Sequence, residues 1–142
     1  MNILISACLL GCACRYDGKS KTHPAVELLR KKHTLIPVCP EIYGGLPTPR
    51  PPSEIVGGRV QNSAGEDVTD AYRRGAAEAL RLAEVFGCKV AVLKAKSPSC
   101  GKGKVYDGTF SRTLVDGDGV TAALLQENGI TVYTEDDFPT PL

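Results

Sequence analysis

Three of the six cysteines each come shortly after an apolar segment that has the character of a buried strand. These residues are Cys8, Cys39 and Cys100. If the segments are neighbouring parallel strands, their carboxyl ends meet at one edge of the sheet, where ligands bind in such folds. Several thiolates at one place form a good site for a soft metal. The sequence therefore predicts a metal centre held by these three cysteines, with an iron–sulfur cluster as the favoured form.

The number of candidate ligands indicates what kind of centre this is. A structural zinc site normally has four protein ligands, whereas the sequence offers three cysteines and no obvious fourth residue. One coordination position would then be open. In a 4Fe-4S cluster this means one iron lacking a protein ligand, free to act as a Lewis acid on a bound substrate. The missing fourth ligand therefore favours a catalytic centre.

The remaining cysteines and the two histidines have other interpretations. Cys88 begins a predicted strand at the end opposite the proposed site and is interpreted as a buried core residue. Cys12 and Cys14 extend the first candidate ligand into a Cys-x-x-x-Cys-x-Cys run, which could bind metal locally although its spacing differs from the common ferredoxin runs. Both stay open as alternative ligands. His23 and His33 are interpreted as cap or surface residues.

Four polar residues near the predicted centre could take part in catalysis or binding. Glu41, in the turn after the second cysteine, is a candidate general base, or else an exposed loop acid. Ser97 and Ser99 could donate hydrogen bonds to a developing charge, or simply cap their loop. Arg50 could bind a carbonyl or anionic part of a substrate, or pair with an acid such as Glu54.

Predicted strands alternate with predicted helices along the chain. The strands lie at residues 3–6, 34–38, 89–95 and 130–133, with a possible short strand near 54–60. Helices are predicted from residue 24, from 69 to a stop at Gly87, and over 117–128 with a cap at Asp116 or Asp118. Residues 104–110 read as a small hairpin around Asp107-Gly108.

Alternation of this kind is typical of parallel βαβ units with right-handed crossovers. We therefore expect an α/β fold, a Rossmann-like or flavodoxin-like three-layer sandwich with a mostly parallel sheet. A length of 142 residues suits a single domain over residues 1–142. Neither a Gly-x-Gly-x-x-Gly fingerprint nor a phosphate-binding loop is present, so a nucleotide cofactor is not indicated.

Composition argues against several classes of partner. A formal net charge of +1 gives no electrostatic reason to expect binding to nucleic acid or to an anionic membrane. No apolar run is long enough to span a bilayer. The apolar amino-terminal run is short and has no preceding Lys or Arg, so we do not read it as a signal sequence. We expect a cytoplasmic protein whose cysteines are mostly reduced; its oligomeric state is not indicated.

Seven short motifs occur in order over nearly the whole chain. They lie at residues 6–11, 15–18, 38–41, 44–50, 65–69, 97–101 and 106–110. Together they resemble the thiouracil desulfidase (TudS-like) family, formerly a domain of unknown function. The resemblance implies a 4Fe-4S cluster on the three cysteines, whose open iron binds the sulfur of a thiolated pyrimidine such as 4-thiouracil.

The same resemblance implies a reaction and roles for the polar residues. Water would attack the polarised carbon of the nucleobase, and sulfur would leave as hydrosulfide without net redox change. Such a reaction would place the protein in sulfur metabolism. Glu41 matches the family's catalytic acid/base position, and Ser97 and Ser99 match its serine loop.

Two other functions are compatible with the cysteines. A non-enzymatic metal-binding module would have four protein ligands, with Cys12 or Cys14 completing the set. A thiol-based sulfur carrier would take sulfur as a persulfide on one cysteine of depressed pKa, and would be active without metal.

Overall fold

A parallel sheet between two layers of helix forms the centre of the protein. The computed structural model describes the whole chain, Met1–Leu142. Its strands are β1 (Asn2–Ser6), β2 (Thr34–Val38), β3 (Ser53–Val56), β4 (Arg59–Asn62), β5 (Val90–Leu93), β6 (Lys104–Tyr106), β7 (Leu114–Asp116) and β8 (Thr131–Thr134). Its helices are α1 (Pro24–Lys32), α2 (Pro40–Tyr43), α3 (Thr69–Val85) and α4 (Val120–Glu127), with a 3-10 turn over Ala7–Leu10.

The central sheet has the strand order β2-β1-β5-β8, and all of its pairings are parallel. In this register Ile5 of β1 lies between Pro37 of β2 and Val92 of β5. Pro37 is tolerated because β2 is an edge strand, where a missing N–H costs little. The α/β class and the parallel sheet expected from the sequence are confirmed. All four strands therefore end at the same edge.

Alternation along the strands divides the core into two halves. On β1, Ile3 and Ile5 belong to the half that includes α1 and the 3-10 turn, whereas Leu4 belongs to the half that includes α3 and α4. This is the period-2 pattern of a strand that is buried on both faces. The helices follow their own 3.6-residue period, so that Ala76, Ala79 and Ala83 of α3 are fully buried. None of the helices has the length and apolar character needed to cross a membrane.

Helices α2 and α3 cross so closely that two glycines are required at the crossing. A Cβ built on Gly44 would lie 1.9 Å from the carbonyl oxygen of Ala71, and one built on Gly75 would lie 1.8 Å from that of Pro40. No side chain fits at such distances, and the backbones meet directly. The crossing fixes α2, and with it the chain immediately after β2.

A hairpin does begin at residue 104, but the predicted position of its second strand, within residues 104–110, is wrong. Strand β6 pairs with β7, so the connection runs through residues 107–113 rather than turning at Asp107-Gly108. The reason is a tertiary contact: the Glu54 carboxylate accepts hydrogen bonds from the N–H groups of Gly108 and Phe110 at 3.0 and 3.1 Å. These hydrogen bonds hold the connection between β6 and β7 against β3, so that it does not form a tight turn. The possible strand near 54–60 is likewise two strands, β3 and β4, that form a hairpin.

The predicted cap of the last helix is also wrong. Helix α4 begins at Val120 with Gly119 as its N-cap, and no side chain caps it. The N–H groups of Val120 and Thr121 instead donate to the carbonyl oxygens of Pro98 and Ser99 at 2.9 and 2.8 Å. Main-chain acceptors from the loop after β5 thus replace the expected aspartate. This arrangement ties that loop to α4.

Candidate functional site

A cavity of about 510 Å³ opens at the carboxyl ends of β1, β2 and β5. Its volume falls within the range of roughly 300–1,000 Å³ that is usual for small-molecule sites. Four cysteines line it, namely Cys8, Cys14, Cys39 and Cys100. Cys8, Cys39 and Cys100 were predicted to meet at this edge, and all three line the same cavity.

Each of the three predicted ligands owes its position to the end of a strand. Cys8 lies in the 3-10 turn that continues β1, and Cys39 is the residue between β2 and α2. Cys100 lies in the loop after β5, whose backbone is held on α4. Cys88, by contrast, is buried in the core half beneath α3 and α4, away from the cavity.

Cys14 is the cysteine whose position the sequence left open. It is 8% exposed, and it packs in the same core cluster as Cys8, with Cys39 against that cluster. Its carbonyl oxygen accepts from the Cys39 thiol at 3.6 Å and from Nη2 of Arg50 at 2.9 Å. Cys12, two residues earlier, is exposed and does not line the cavity.

Three thiols of this cavity, those of Cys14, Cys39 and Cys100, have raised pKa values and are neutral when no metal is bound. Burial raises the pKa of the Cys100 thiol to about 12. The hydrogen bond with the Cys14 thiol, followed by burial, raises the pKa of Cys39 well above its usual value. Because metal ligands must be thiolates, loading the site releases protons.

The donor set fits an iron–sulfur cluster better than a single ion. Four soft sulfur donors face one cavity, which is the chemistry that iron–sulfur centres use. No group of three or more His, Cys, Asp or Glu side chains is arranged around a point where one ion would sit. In a cubane cluster each cysteine binds a different iron, so several cysteines that line one cavity are the donor set that the group requires.

The Glu41 carboxylate, beside the cysteines, is hydrogen-bonded to the protein through only one of its two oxygens. Oε1 of Glu41 accepts a hydrogen bond from Nε of Arg50 at 3.0 Å and one from the Tyr72 hydroxyl at 2.8 Å. Oε2 accepts none from the protein, and the Glu41 side chain is 16% exposed on the cavity. Burial, followed by the Glu41 charge, raises the pKa of Tyr72 well above its usual range, so Tyr72 stays a donor.

The guanidinium of Arg50 is almost fully used by the protein. Besides its bond to Glu41, Nη1 donates to the Pro47 carbonyl oxygen and to the Thr48 hydroxyl, and Nη2 donates to the Cys14 carbonyl oxygen. Four of its five N–H groups are therefore engaged, which leaves one. The acid that Arg50 pairs with is Glu41 and not Glu54, because the Glu54 carboxylate binds the backbone of the 107–113 connection.

The two serines of the loop after β5 have different surroundings. The Ser97 hydroxyl oxygen accepts from the N–H groups of Ser99 and Cys100 at 3.1 and 3.0 Å, and Ser97 lines the cavity. With both lone pairs occupied, its hydroxyl hydrogen remains free to donate. Ser99 is 1% exposed and bonds to the Thr121 hydroxyl at 2.8 Å, outside the cavity lining.

The cavity mouth carries basic and aromatic side chains on unusual backbone. Lys96, Phe110 and Arg112 all line it, and they are the three non-glycine residues of the chain with positive φ, at 69°, 57° and 60°. Backbone strain of this kind concentrates at functional sites, because surrounding contacts must hold it in place. Tyr16 and Tyr106 contribute aromatic surface to the same cavity.

Sequence reasoning missed three polar residues of the site. Tyr72 lies at a position that the helical period assigns to the apolar face of α3, although its hydroxyl reaches Glu41. The Ser6 hydroxyl accepts from the Lys94 N–H at 2.9 Å, and Ser6 lines the cavity together with Cys100. Lys94 lines the cavity and pairs with Glu135 at 2.9 Å. The available signal was a serine and a lysine at the carboxyl ends of apolar strands.

Comparison with known proteins extends over all elements that build the cavity. A model of the 2-thiouracil desulfurase family matches residues 3–137. The uncharacterized protein YbbK of Bacillus subtilis (strain 168) is 43% identical over 149 aligned positions, which cover 96% of this chain and 97% of the relative. A solved structure of the 4Fe-4S-dependent thiouracil desulfidase TudS matches with a TM-score of 0.92 and 45% identity, covering 98% of this chain and 93% of that one.

Proposed function

Because the chain belongs to the 2-thiouracil desulfurase family, we propose that it is a 4Fe-4S-dependent enzyme that removes the sulfur atom of thiouracil. One observation carries this proposal: three cysteines from three strand ends share a cavity with Glu41, whose carboxylate is hydrogen-bonded to the protein through one oxygen only. The cavity volume suits a small-molecule substrate together with its cofactor. The reaction exchanges sulfur for oxygen and needs no redox step.

We assign Cys8, Cys39 and Cys100 as the permanent ligands of the cluster. They line the same cavity and come from three independent segments. When bound, the cluster would supply one iron lacking a permanent protein ligand, a Lewis acid for the substrate sulfur. The protein contributes the shape of the cavity, the orientation of the nucleobase and the proton transfers.

Glu41 is the proposed general base. Its Oε1 is fixed by Arg50 and Tyr72, so the side chain has one orientation, and Oε2 is left to take a proton from water. A base must lie within hydrogen-bond reach of the proton that it removes, and Glu41 faces the cavity in which the substrate would lie. Arg50 positions this base, and its one remaining N–H is available to the substrate.

Ser97 is the proposed donor to the substrate. Its oxygen is saturated by two backbone N–H groups, so its one remaining interaction is donation of the hydroxyl hydrogen. A donor of this kind stabilises negative charge that develops on a ring atom during attack by water. Ser99 acts one step away by anchoring the loop to Thr121.

The test is anaerobic reconstitution with iron and sulfide, followed by assay of 2-thiouracil and 4-thiouracil. We expect loss of the thiocarbonyl absorbance together with release of hydrosulfide and uracil. Single replacements Cys8→Ser, Cys39→Ser and Cys100→Ser should each lower the iron content and abolish turnover. Cys12→Ser is the matched control, because Cys12 is exposed and outside the cavity.

Three outcomes would contradict the proposal. Activity in metal-free protein would indicate a thiol-based sulfur carrier. A stable cluster without turnover on either thiouracil would indicate a non-enzymatic metal-binding module. Normal iron content in all three ligand variants would mean that the cluster is bound elsewhere.

A further inference from the structure

Cys14 is a fourth thiol in the cavity that the assigned ligand set does not use. It is buried, it lines the cavity, and it packs in the same core cluster as Cys8, with Cys39 against that cluster. The same cluster contains apolar side chains such as Leu9 and Val26, so Cys14 lies where the apolar core meets two of the three proposed ligands.

The backbone at Cys14 is anchored by hydrogen bonds to its carbonyl oxygen. Nη2 of Arg50 donates to its carbonyl oxygen at 2.9 Å, and the Cys39 thiol donates to the same oxygen at 3.6 Å. The same Arg50 holds Glu41, so the main chain at Cys14 is built into the catalytic network. A change of one χ1 angle, between staggered wells, can move the sulfur without moving this network.

Resting on the function proposed above, we propose that Cys14 is a displaceable fourth ligand of the cluster. Its thiolate occupies the iron that the three permanent ligands leave open while no substrate is present, and it withdraws when the sulfur of thiouracil binds. The thiol proton passes to water when the Cys14 sulfur binds iron and is taken back when it leaves, so no electrons are transferred. One soft sulfur donor replaces another of the same class.

Mild oxidation distinguishes a cluster with four thiolate ligands from one with three. An iron that lacks a thiolate is lost on brief treatment with ferricyanide and leaves a 3Fe-4S cluster, which has its own paramagnetic resonance signal. We expect wild-type protein without substrate to keep all its iron. Cys14→Ser and Cys14→Ala should each lose one iron per cluster under the same treatment. Cys12→Ser, two residues away and exposed, should behave as wild type.

Substrate should reproduce the effect of the substitution. Wild-type protein that is saturated with 4-thiouracil and frozen before turnover, without oxidation, should show one iron in a distinct Mössbauer environment. Wild-type protein without substrate should show four irons that are all thiolate-coordinated. This measurement needs no variant, so it stands even if Cys14→Ser and Cys14→Ala fail to fold.

Two results would overturn the inference. Conversion of substrate-free wild-type protein to 3Fe-4S as readily as Cys14→Ser would show that Cys14 protects no iron. A distinct iron in the Mössbauer spectrum of substrate-free wild-type protein would show the same. Failure of the wild type to desulfurise thiouracil would instead contradict the proposed function, because the iron-retention assay does not depend on turnover.

Discussion

At the scale of single residues, the site depends on groups whose hydrogen-bonding capacity is nearly used up. Oε1 of Glu41 takes two donors, the Ser97 oxygen takes two N–H groups, and Arg50 uses four of its N–H groups. The hydrogen-bonding capacity that remains indicates the role of each group. Glu41 keeps a free acceptor oxygen, and Ser97 keeps a free hydroxyl donor. The sequence indicated these residue types but not which atoms would be free.

Replacing Tyr72 by Phe should separate catalysis from cluster binding. The change removes one of the two donors on Oε1 of Glu41 and leaves the ring in place. A hydrogen bond to a charged group is worth about 1.5–3 kcal/mol, which corresponds to a decrease of about ten- to a hundredfold in kcat. Iron content should equal that of wild type, as measured by colorimetric iron analysis. A decrease in iron together with kcat would mean that Tyr72 supports the fold instead.

The same tyrosine should make stability depend on alkaline pH. The pKa of Tyr72 is raised in the folded protein, while in the unfolded chain it is about 10. Above that pH the unfolded chain binds fewer protons than the folded one, so the free energy of unfolding falls as pH rises. Urea midpoints of the metal-free protein at pH 9 and pH 11 should differ more for wild type than for Tyr72→Phe. If the urea midpoint changed equally in wild type and in Tyr72→Phe, the loss of stability at alkaline pH would not be due to Tyr72.

At the scale of elements, two backbone arrangements place the site. The close crossing of α2 on α3 fixes the amino-terminal end of α2, where Cys39 and Glu41 lie, and the Glu54 carboxylate fixes the 107–113 connection that carries Phe110. Both are contacts between segments far apart in sequence. For this reason strand and helix positions could be predicted from periodicity, whereas the return strand of the second hairpin and the start of α4 could not.

Replacing Gly75 by Ala should damage the site although alanine favours helix. Intrinsic propensity would stabilise the change by about 1 kcal/mol, but the new Cβ would overlap the Pro40 carbonyl oxygen. Overpacking of this kind costs roughly 1–3 kcal/mol. We expect a lower free energy of unfolding in urea and reduced iron binding. Glu78→Ala, an exposed position on the same helix, is the control and should leave both unchanged.

Replacing Glu54 by Ala should loosen the cavity mouth. The N–H groups of Gly108 and Phe110 lose their acceptor, so the positive φ of Phe110 is no longer enforced. We expect KM for thiouracil to rise about fivefold or more, in line with about 1–3 kcal/mol for an unpaired group, with normal iron content. Proteolysis within residues 107–113 should become faster. A change in kcat alone would assign Glu54 a different role.

At the scale of the whole molecule, a sequence pattern and a parallel topology were enough to bring three distant cysteines together. Parallel strands share one carboxyl edge, so three apolar segments that each precede a cysteine predict the meeting. The resemblance to the desulfidase family, given by seven motifs, is confirmed by the family match and by the TudS structure. The network around Glu41 could not be predicted, because Tyr72 is 31 residues away and carries no pattern other than that of a core residue.

The three proposed ligands come from segments far apart in the sequence, so a bound cluster would also affect the stability of the fold. Cys8 lies in the 3-10 turn after β1, Cys39 at the start of α2 and Cys100 in the loop after β5. A group bound to all three would therefore close two long loops of the chain. Closing loops lowers the entropy of the unfolded state, and ligand binding that requires the native arrangement adds to the free energy of unfolding. The cluster would then act as a cross-link as well as a reagent. Chelating the iron should lower Tm in wild type, and the same treatment should leave Tm unchanged in Cys100→Ser.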